Sequence, residues 1–232
     1  MSENQVPFLK TKWKSVHQLL IDSYGEPDWR QHLPPVDELI STILSQNTSD
    51  INRDKAFYAL KDAYPDWQMV MRAPESDIRD VIRPAGLSNR KAPRIQNALA
   101  VIYEEQNELT LDFLAAMALD DAKKWLTDLD GVGPKTAAIV LLFSFNRPAM
   151  PVDTHVHRVT GRLGLIEAGT SAEKAHVLLE EIVDPDTYYS FHLNVIRHGR
   201  EVCAARKPKC ENCSLQNYCD YYQGLVKTEI DE

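Results

Sequence analysis

All four cysteines of this 232-residue chain lie close together near the C-terminus. They are Cys203, Cys210, Cys213 and Cys219, with the spacing C-x6-C-x2-C-x5-C. Four thiolates in one short segment can converge on a single soft metal centre. Structural zinc usually uses two Cys-x2-Cys pairs with a longer insert between them. A single pair with longer arms suits the four iron corners of a [4Fe-4S] cluster, so the spacing favours iron–sulfur and leaves zinc open.

A second pattern with chemical potential is a glycine hairpin followed by a lysine. Gly131 and Gly133 follow an amphipathic stretch, and Pro134 and Lys135 open an apolar one, which predicts a helix-hairpin-helix at about 121–143. Free N–H groups at such a helix start can bind an anion such as DNA phosphate, although a lone Gly-x-Gly is weak evidence. In the first helical turn, Lys135 is either a solvated cation or an amine placed to form a Schiff base.

Asp153 follows this lysine by eighteen residues and precedes a predicted helix that runs to about Leu163. An aspartate there can cap the helix, and a carboxylate held rigid in this way can also stabilise positive charge or accept a proton. Its position leaves both roles open. His155 and His157 lie two residues apart and would point to different sides of the helix, so they do not form a metal-binding pair.

The elements that position these residues are predicted to be helices throughout. Apolar residues recur at spacings of three and four, and strand signals are poor, so we expect about ten short helices in an all-α protein. The clearest repeats cover residues 36–44, 56–64, 92–102 and 177–182. Ser88 is the predicted N-cap of the third of these helices. Residues 225–232 are expected to form a polar tail.

Composition excludes several classes of protein. Apolar residues make up 44% of the chain, enough for a sizeable core, which argues against a disordered tail protein, a collagen or a disulfide-dense miniprotein. The longest apolar runs are far shorter than the roughly 18 residues of a membrane span. The N-terminus lacks the basic and apolar regions of a signal peptide, so we expect a reducing, cytoplasmic location.

The net charge of −8 argues weakly against a nucleic-acid partner, but the basic residues are clustered. Two stretches are rich in cations and poor in acids. They contain Arg83, Arg90, Lys91 and Arg94, and then Arg197, Arg200, Arg206, Lys207 and Lys209. These stretches form either one positive face for a polyanion or ordinary solvated helix surfaces.

Together these segments resemble the endonuclease III branch of the helix-hairpin-helix DNA glycosylases over residues 13–222, nearly the whole chain. Residues 129–137 resemble the family hairpin with its catalytic lysine, and residues 152–159 the segment with its catalytic aspartate. His198-Gly199-Arg200 and the four cysteines match the family's [4Fe-4S] loop in spacing.

Two further loops resemble family segments that enter DNA. Residues 43–50 resemble the loop whose amide side chain fills the hole left by a flipped nucleotide, and either Gln46 or Asn47 could be that residue. Residues 86–92 resemble the loop whose apolar residue, here Leu87, wedges beside the orphan base. The DNA contacts implied by the resemblance and by the basic stretches are Gln46, Asn47, Leu87, Arg90, Lys91, Gly131, Gly133, His155, Arg200, Arg206 and Lys207.

The resemblance implies two helical domains that flank a DNA-binding cleft. A six-helix domain would span 28–147, and residues 1–27 would join 148–224 in a cluster domain. It also implies a base-excision-repair DNA glycosylase with AP lyase activity, in which Lys135 forms a Schiff base and Asp153 assists. The expected partner is double-stranded DNA with an oxidised or ring-saturated pyrimidine or an abasic site, bound by a monomer at the nucleoid.

Three alternatives stay open at this point. An adenine glycosylase would need a carboxylate near Thr42, and both it and a mismatch thymine glycosylase usually lack the lysine. A non-enzymatic DNA-binding module would not need Lys135 and Asp153 together.

Two departures from the family hairpin, Asp130 and Pro134, are expected to weaken phosphate capture without affecting the chemistry.

Overall fold

The structure is a computed structural model that describes residues 5–230, with side chains described as far as residue 225. These residues form helices, turns and loops, with no strand among them, which confirms the predicted all-α class. The helices are α1 (Gln5–Tyr24), α2 (Pro35–Ser45), α3 (Asp50–Ala63), α4 (Trp67–Arg72), α5 (Glu75–Val81), α6 (Ser88–Gln106), α7 (Leu119–Asp128), α8 (Pro134–Phe145), α9 (Thr154–Arg162), α10 (Ala172–Ile182), α11 (Tyr188–Glu201) and α12 (Asp220–Ile230). None of the described helices has the length and apolarity needed to cross a bilayer.

The chain divides into two compact units. Unit 1 combines the N-terminal segment up to Trp29 with the chain from Pro148 onward, and unit 2 is Arg30–Arg147. Each unit has its own core, so each can position its functional residues independently of the other.

In unit 2 the hairpin helix α8 packs against α2 and α7. The apolar run that follows the hairpin is buried on nearly every side, which explains why α8 has no polar face. α2 contributes the apolar residues that the sequence repeat predicts, including Leu39, Ile40 and Ile43. The hairpin is thus mounted on a helix that cannot shift without disrupting the core.

In unit 1 the central helix is α11, which packs against α1 and α9. The ring of Trp13 on α1 meets Phe191 on α11 edge-on at 6.2 Å between centroids. α9, which follows Asp153, therefore lies on a helix held by an aromatic core, and α11 leads directly into the cysteine segment.

Two local predictions are corrected. The N-cap of α6 is Leu87 rather than Ser88, because Ser88 already has helical geometry and the carbonyl of Leu87 accepts the first helical hydrogen bonds. The expected polar tail at 225–232 is helical to Ile230, since α12 starts at Asp220, an acid that suits a first helical turn. Residues 231 and 232 lie outside the described residues.

Candidate active site

The hairpin between α7 and α8 presents Lys135 at the start of a helix. Gly131 has a φ of +76°, a left-handed conformation that glycine adopts readily, and Gly133 is the N-cap of α8. In the described part of the chain, neither glycine's backbone N–H has a hydrogen-bond acceptor. Pro134 takes the first helical position as predicted, and Lys135 follows it, half-buried, with no ion pair or hydrogen bond to its ammonium within unit 2.

The hairpin backbone is fastened by two neighbouring side chains. Nε2 of Gln46 donates to the carbonyl of Gly131 at 2.9 Å. Arg94 lies over Gly131, in the space that a Cβ would need, and its Nε is 3.8 Å from Oδ2 of Asp130. Asp130, the acid that departs from the family hairpin, is therefore partly offset by an arginine.

Asp153 is the N-cap of α9, as the sequence predicts. Its Oδ1 accepts a hydrogen bond from the Val156 N–H at 2.7 Å, which leaves Oδ2 without a partner among the described residues of unit 1. A single cap bond thus fixes the carboxylate and leaves one oxygen available for chemistry.

The two histidines after Asp153 are both used within unit 1. Nδ1 of His155 is 3.0 Å from Nη2 of Arg158, and burial lowers the pKa of His155. His157 instead faces the carbonyl of Thr170, with Nε2 at 2.8 Å. Each histidine therefore has its own partner within unit 1.

The candidate insertion residues lie on two exposed turns of unit 2. Asn47 is exposed with a φ of +52°, whereas the neighbouring Gln46 is half-buried and bonded to the hairpin. Leu87 is 48% exposed with a φ of +49°. An exposed leucine in a left-handed conformation is unfavourable in both respects, a combination that concentrates at functional positions.

The prediction that Lys91 contacts DNA is wrong. Its side chain is 1% exposed, and Nζ donates to the carbonyls of Leu44 at 2.7 Å and Ala85 at 2.8 Å. Burial lowers the pKa of Lys91 to about 8. The reason is position: residue 91 falls on the buried stripe of α6 together with Ile95 and Ile102.

The basic surface is consequently smaller than the sequence suggests. Arg83 pairs with Asp80 at 3.5 Å, and Arg197 pairs with Glu201 at 3.0 Å. The predicted basic residues that remain exposed outside these pairs are Arg90, Arg200, Arg206, Lys207 and Lys209.

The four cysteines line one pocket of unit 1, and none forms a disulfide. Among the described residues, no three His, Cys, Asp or Glu side chains are arranged as ligands of a single metal ion. Four thiols around one pocket are a donor set that both a [4Fe-4S] cluster and a tetrahedral zinc ion use. Burial raises the pKa of the Cys213 thiol to about 11, and burial also raises the pKa values of Cys210 and Cys219. A bound metal centre would favour the thiolates.

Two arginines of α9 hold the cysteine segment. Arg162 donates through Nη1 to Sγ of Cys203 at 3.2 Å and to the carbonyl of Ala204 at 2.8 Å. Arg158 donates through Nε to the carbonyl of Cys203 at 3.0 Å and through Nη2 to that of Gly199 at 2.8 Å. These bonds fix the start of the basic loop 204–209.

Comparisons with known proteins agree with this geometry. Residues 40–185 match the HhH-GPD superfamily of base excision DNA repair proteins, and residues 203–219 match the iron–sulfur binding domain of endonuclease III. Endonuclease III of Thermotoga maritima is 35% identical to this chain over 84% of this chain and 87% of its own length. The chain belongs to the endonuclease III family.

Solved structures support the same assignment for this endonuclease III family member. A non-covalent endonuclease III–DNA complex superposes with a TM-score of 0.80 at 26% identity, covering 94% of this chain and 98% of that chain. A thermostable thymine-DNA glycosylase superposes with a TM-score of 0.73 at 25% identity, and the superposition covers 95% of this chain and 99% of that chain. The protein is a base-excision DNA glycosylase/lyase that binds DNA, and its cysteine segment binds an iron–sulfur cluster.

Sequence reasoning missed the residues that support this site. Arg158 and Arg162 are four residues apart, so the sequence places them on one face of a helix, where they could have been predicted to bind the same segment. His198 lies in the motif before the cysteines. Its Nδ1 is 3.0 Å from the Tyr24 hydroxyl and its Nε2 is 3.5 Å from Sγ of Cys213, and both partners are distant in sequence. The bond from Gln46 to the hairpin left no signal in the sequence.

Proposed function

We propose that this glycosylase/lyase removes oxidised or ring-saturated pyrimidines from double-stranded DNA and cuts the strand at the resulting abasic site. The observation that carries the proposal is the state of its two candidate catalytic groups. Lys135 offers an amine without a partner in its unit, and Asp153 offers a rigid carboxylate with one oxygen unbonded in its unit. A Schiff base forms when an amine is free to attack C1′, and a fixed carboxylate can accept the proton that this amine loses.

In the proposed reaction the target nucleotide leaves the base stack and Lys135 Nζ attacks C1′ of its sugar. The N-glycosidic bond breaks, the base departs with its bonding electrons, and it gains a proton. Asp153 stabilises the developing oxocarbenium charge and accepts a proton from the attacking amine. The C1′–O4′ bond of the sugar then breaks, O4′ takes up a proton, and the nitrogen lone pair forms the C=N bond of an iminium, which acidifies C2′. Loss of a C2′ proton then expels the 3′ phosphate by β-elimination, and water hydrolyses the Schiff base to free Lys135.

We propose that the iron–sulfur cluster is a [4Fe-4S] cluster held by Cys203, Cys210, Cys213 and Cys219. When bound, it would supply a structural crosslink rather than a bond-making step. Arg158 and Arg162 already fix one end of loop 204–209, so the crosslink would hold Arg206 and Lys207 toward phosphate. Protein prepared without oxygen should be brown and hold about four irons per chain, as one such cluster requires. Colourless, zinc-loaded protein would contradict this.

For DNA binding we propose that a monomer at the nucleoid contacts phosphate through the hairpin and the exposed cations. The N–H groups of Gly131 and Gly133, which have no acceptor in the described part of unit 2, are available to a phosphate, and Arg90, Arg206 and Lys207 add sequence-independent attraction. Asn47 and Leu87 are the proposed insertion residues, since both are exposed on constrained turns.

The test removes each catalytic group separately. Lys135→Gln should abolish borohydride trapping and strand cutting while duplex binding persists. Asp153→Asn keeps the shape of the cap and should slow base release about a hundredfold, the scale of one positioned acid–base group. Trapping on a pre-formed abasic site should suffer less in Asp153→Asn, because no base has to leave.

The same assay separates the alternatives. A covalent adduct formed by Lys135→Gln would exclude Lys135 as the nucleophile, and wild-type base release by Asp153→Asn would leave Asp153 as a helix cap only. The likeness to a thymine-DNA glycosylase favours including a mispaired thymine among the lesion duplexes. Adenine removal is disfavoured by Lys135, which adenine glycosylases usually lack, although the Glu38 carboxylate does lie beside Thr42 in unit 2.

A further inference from the structure

The hairpin that carries Lys135 is bonded to the turn that carries Asn47. Gln46 immediately follows α2 and is half-buried, and its Nε2 donates to the Gly131 carbonyl at 2.9 Å. Gly131 lies four residues before Lys135, within the tight turn that orients the start of α8. The amide of Gln46 therefore contacts the backbone that sets the direction of the lysine.

Arg94 fixes the same turn from α6. It covers Gly131 closely enough that any side chain there would collide with it, and it faces Asp130 at 3.8 Å. Arg94 contacts the Cα side of Gly131 and the carboxylate of Asp130, and it does not donate to the Gly131 carbonyl. That carbonyl accepts its hydrogen bond from Gln46. Among the described contacts of this carbonyl, the Gln46 amide is the donor.

We propose that Gln46 is a positioning residue, which holds the hairpin so that Lys135 reaches C1′ while Asn47 occupies the helix. The proposal rests on the proposed function of Lys135. It also resolves the ambiguity of the two amides, because the donor of Gln46 is already engaged with protein and Asn47 is exposed. A hairpin released from this bond would present the lysine less accurately, and small misplacements of a reacting group slow a reaction strongly.

Gln46→Glu is the sharpest variant, because it keeps the size of the side chain and removes the N–H donor. Gln46→Ala is the second variant, in case the carboxylate disturbs folding. Single-turnover borohydride trapping at saturating enzyme is measured on a pre-formed abasic site, once in a duplex and once in a single strand. Both variants should trap about tenfold more slowly on both substrates, with little change in half-saturating enzyme concentration.

Two controls accompany these variants. Nε2 of Gln96 also donates to backbone carbonyls of unit 2, those of Val70 at 2.9 Å and Ala73 at 2.8 Å, but away from the hairpin. Gln96→Met should lower the urea midpoint and leave the trapping rate of the folded protein unchanged. Asn47→Ala should slow trapping on the duplex alone, since a single strand has no gap to fill.

The outcomes separate the possible roles of Gln46. Slower trapping on both substrates supports positioning. A defect confined to the duplex would make Gln46 the inserted residue, and wild-type rates with only a lower urea midpoint would make it structural; either result overturns the proposal. If Lys135→Gln still traps, the proposed function fails instead, and the two failures are thereby distinguishable.

Discussion

Arg90 and Lys91 are adjacent cations on α6 whose substitution should have opposite consequences. Arg90 is exposed, whereas the Lys91 ammonium is buried on the carbonyls of Leu44 and Ala85. Lys91→Met keeps the length of the side chain but leaves both carbonyls without this donor, at about 1–3 kcal/mol each. Relief of the buried charge opposes that loss by about 3 kcal/mol, since burial lowers the pKa of Lys91 to about 8. At about 2 kcal/mol for each carbonyl, the loss exceeds this relief by about 1 kcal/mol, which is the net destabilisation we expect.

The matched variant is Arg90→Glu. Its stability should stay within about 0.5 kcal/mol of wild type, because an exposed side chain without structural contacts is replaced. Its affinity for undamaged duplex should fall, and the slope of log affinity against log salt should lose about one unit for a lost phosphate contact. Lys91→Glu, in contrast, buries a carboxylate against two carbonyls and should prevent folding.

Urea unfolding followed by tryptophan fluorescence gives the stabilities, and anisotropy of a labelled duplex at about 50–200 mM salt gives the slopes. Lys91→Met should unfold at lower urea and keep the wild-type salt slope. Wild-type stability together with a shallower slope would show that Lys91 reaches phosphate, and the reasoning from burial would be refuted.

Three other perturbations test separate parts of the site. Leu87→Ala should slow cutting at paired lesions far more than at lesions in single strands, because the apolar side chain offsets unstacking only in a duplex; equal slowing on both would contradict insertion. Arg162→Gln removes bonds to Cys203 and Ala204, so iron release on mild chelation should accelerate several-fold; an unchanged rate would limit Arg162 to its stacking on Tyr221. Burial raises the pKa of Glu38 to about 7, so the folded state holds this proton more tightly than the unfolded state does. The free energy of unfolding of the wild type should therefore decrease as the pH rises from about 4.5 to about 7. Glu38→Gln should therefore be up to about 3 kcal/mol more stable than wild type at pH 8, and about equal to it below pH 4.5, by urea unfolding; a constant difference would contradict the assignment.

Features that depend on neighbouring residues could be predicted from the sequence. The N-cap at Asp153, the first-turn lysine after Gly133 and Pro134, and the repeats of α2 follow from backbone preferences within a few residues. Their physical causes act locally, through caps, glycine angles and apolar spacing, so the sequence carries them directly.

Features that depend on distant contacts could not be predicted. A lysine in a basic stretch looks exposed until the carbonyl of Leu44, 47 residues away in sequence, is known to face it. The bond from Gln46 to Gly131 spans 85 residues, and no local pattern encodes it. The apolar spacing of α6 does place position 91 on its buried face, so the sequence held some evidence for burial. The positive charge of Lys91 nevertheless favoured an exposed position.

The burial of Lys91 also explains how an unfavourable leucine conformation persists. Leu87 holds a left-handed φ at a cost of about 1–2 kcal/mol and exposes apolar surface besides. Such a residue keeps its conformation only where its surroundings fix the backbone on both sides. The Lys91 N–H binds the Leu87 carbonyl at 3.0 Å, and its ammonium binds the Ala85 carbonyl before the turn. The same ammonium binds Leu44, near the end of α2 and three residues before Asn47. One buried cation thus constrains the turn of Leu87 and the helix end that leads into Asn47, and no contact with DNA is needed to explain its presence.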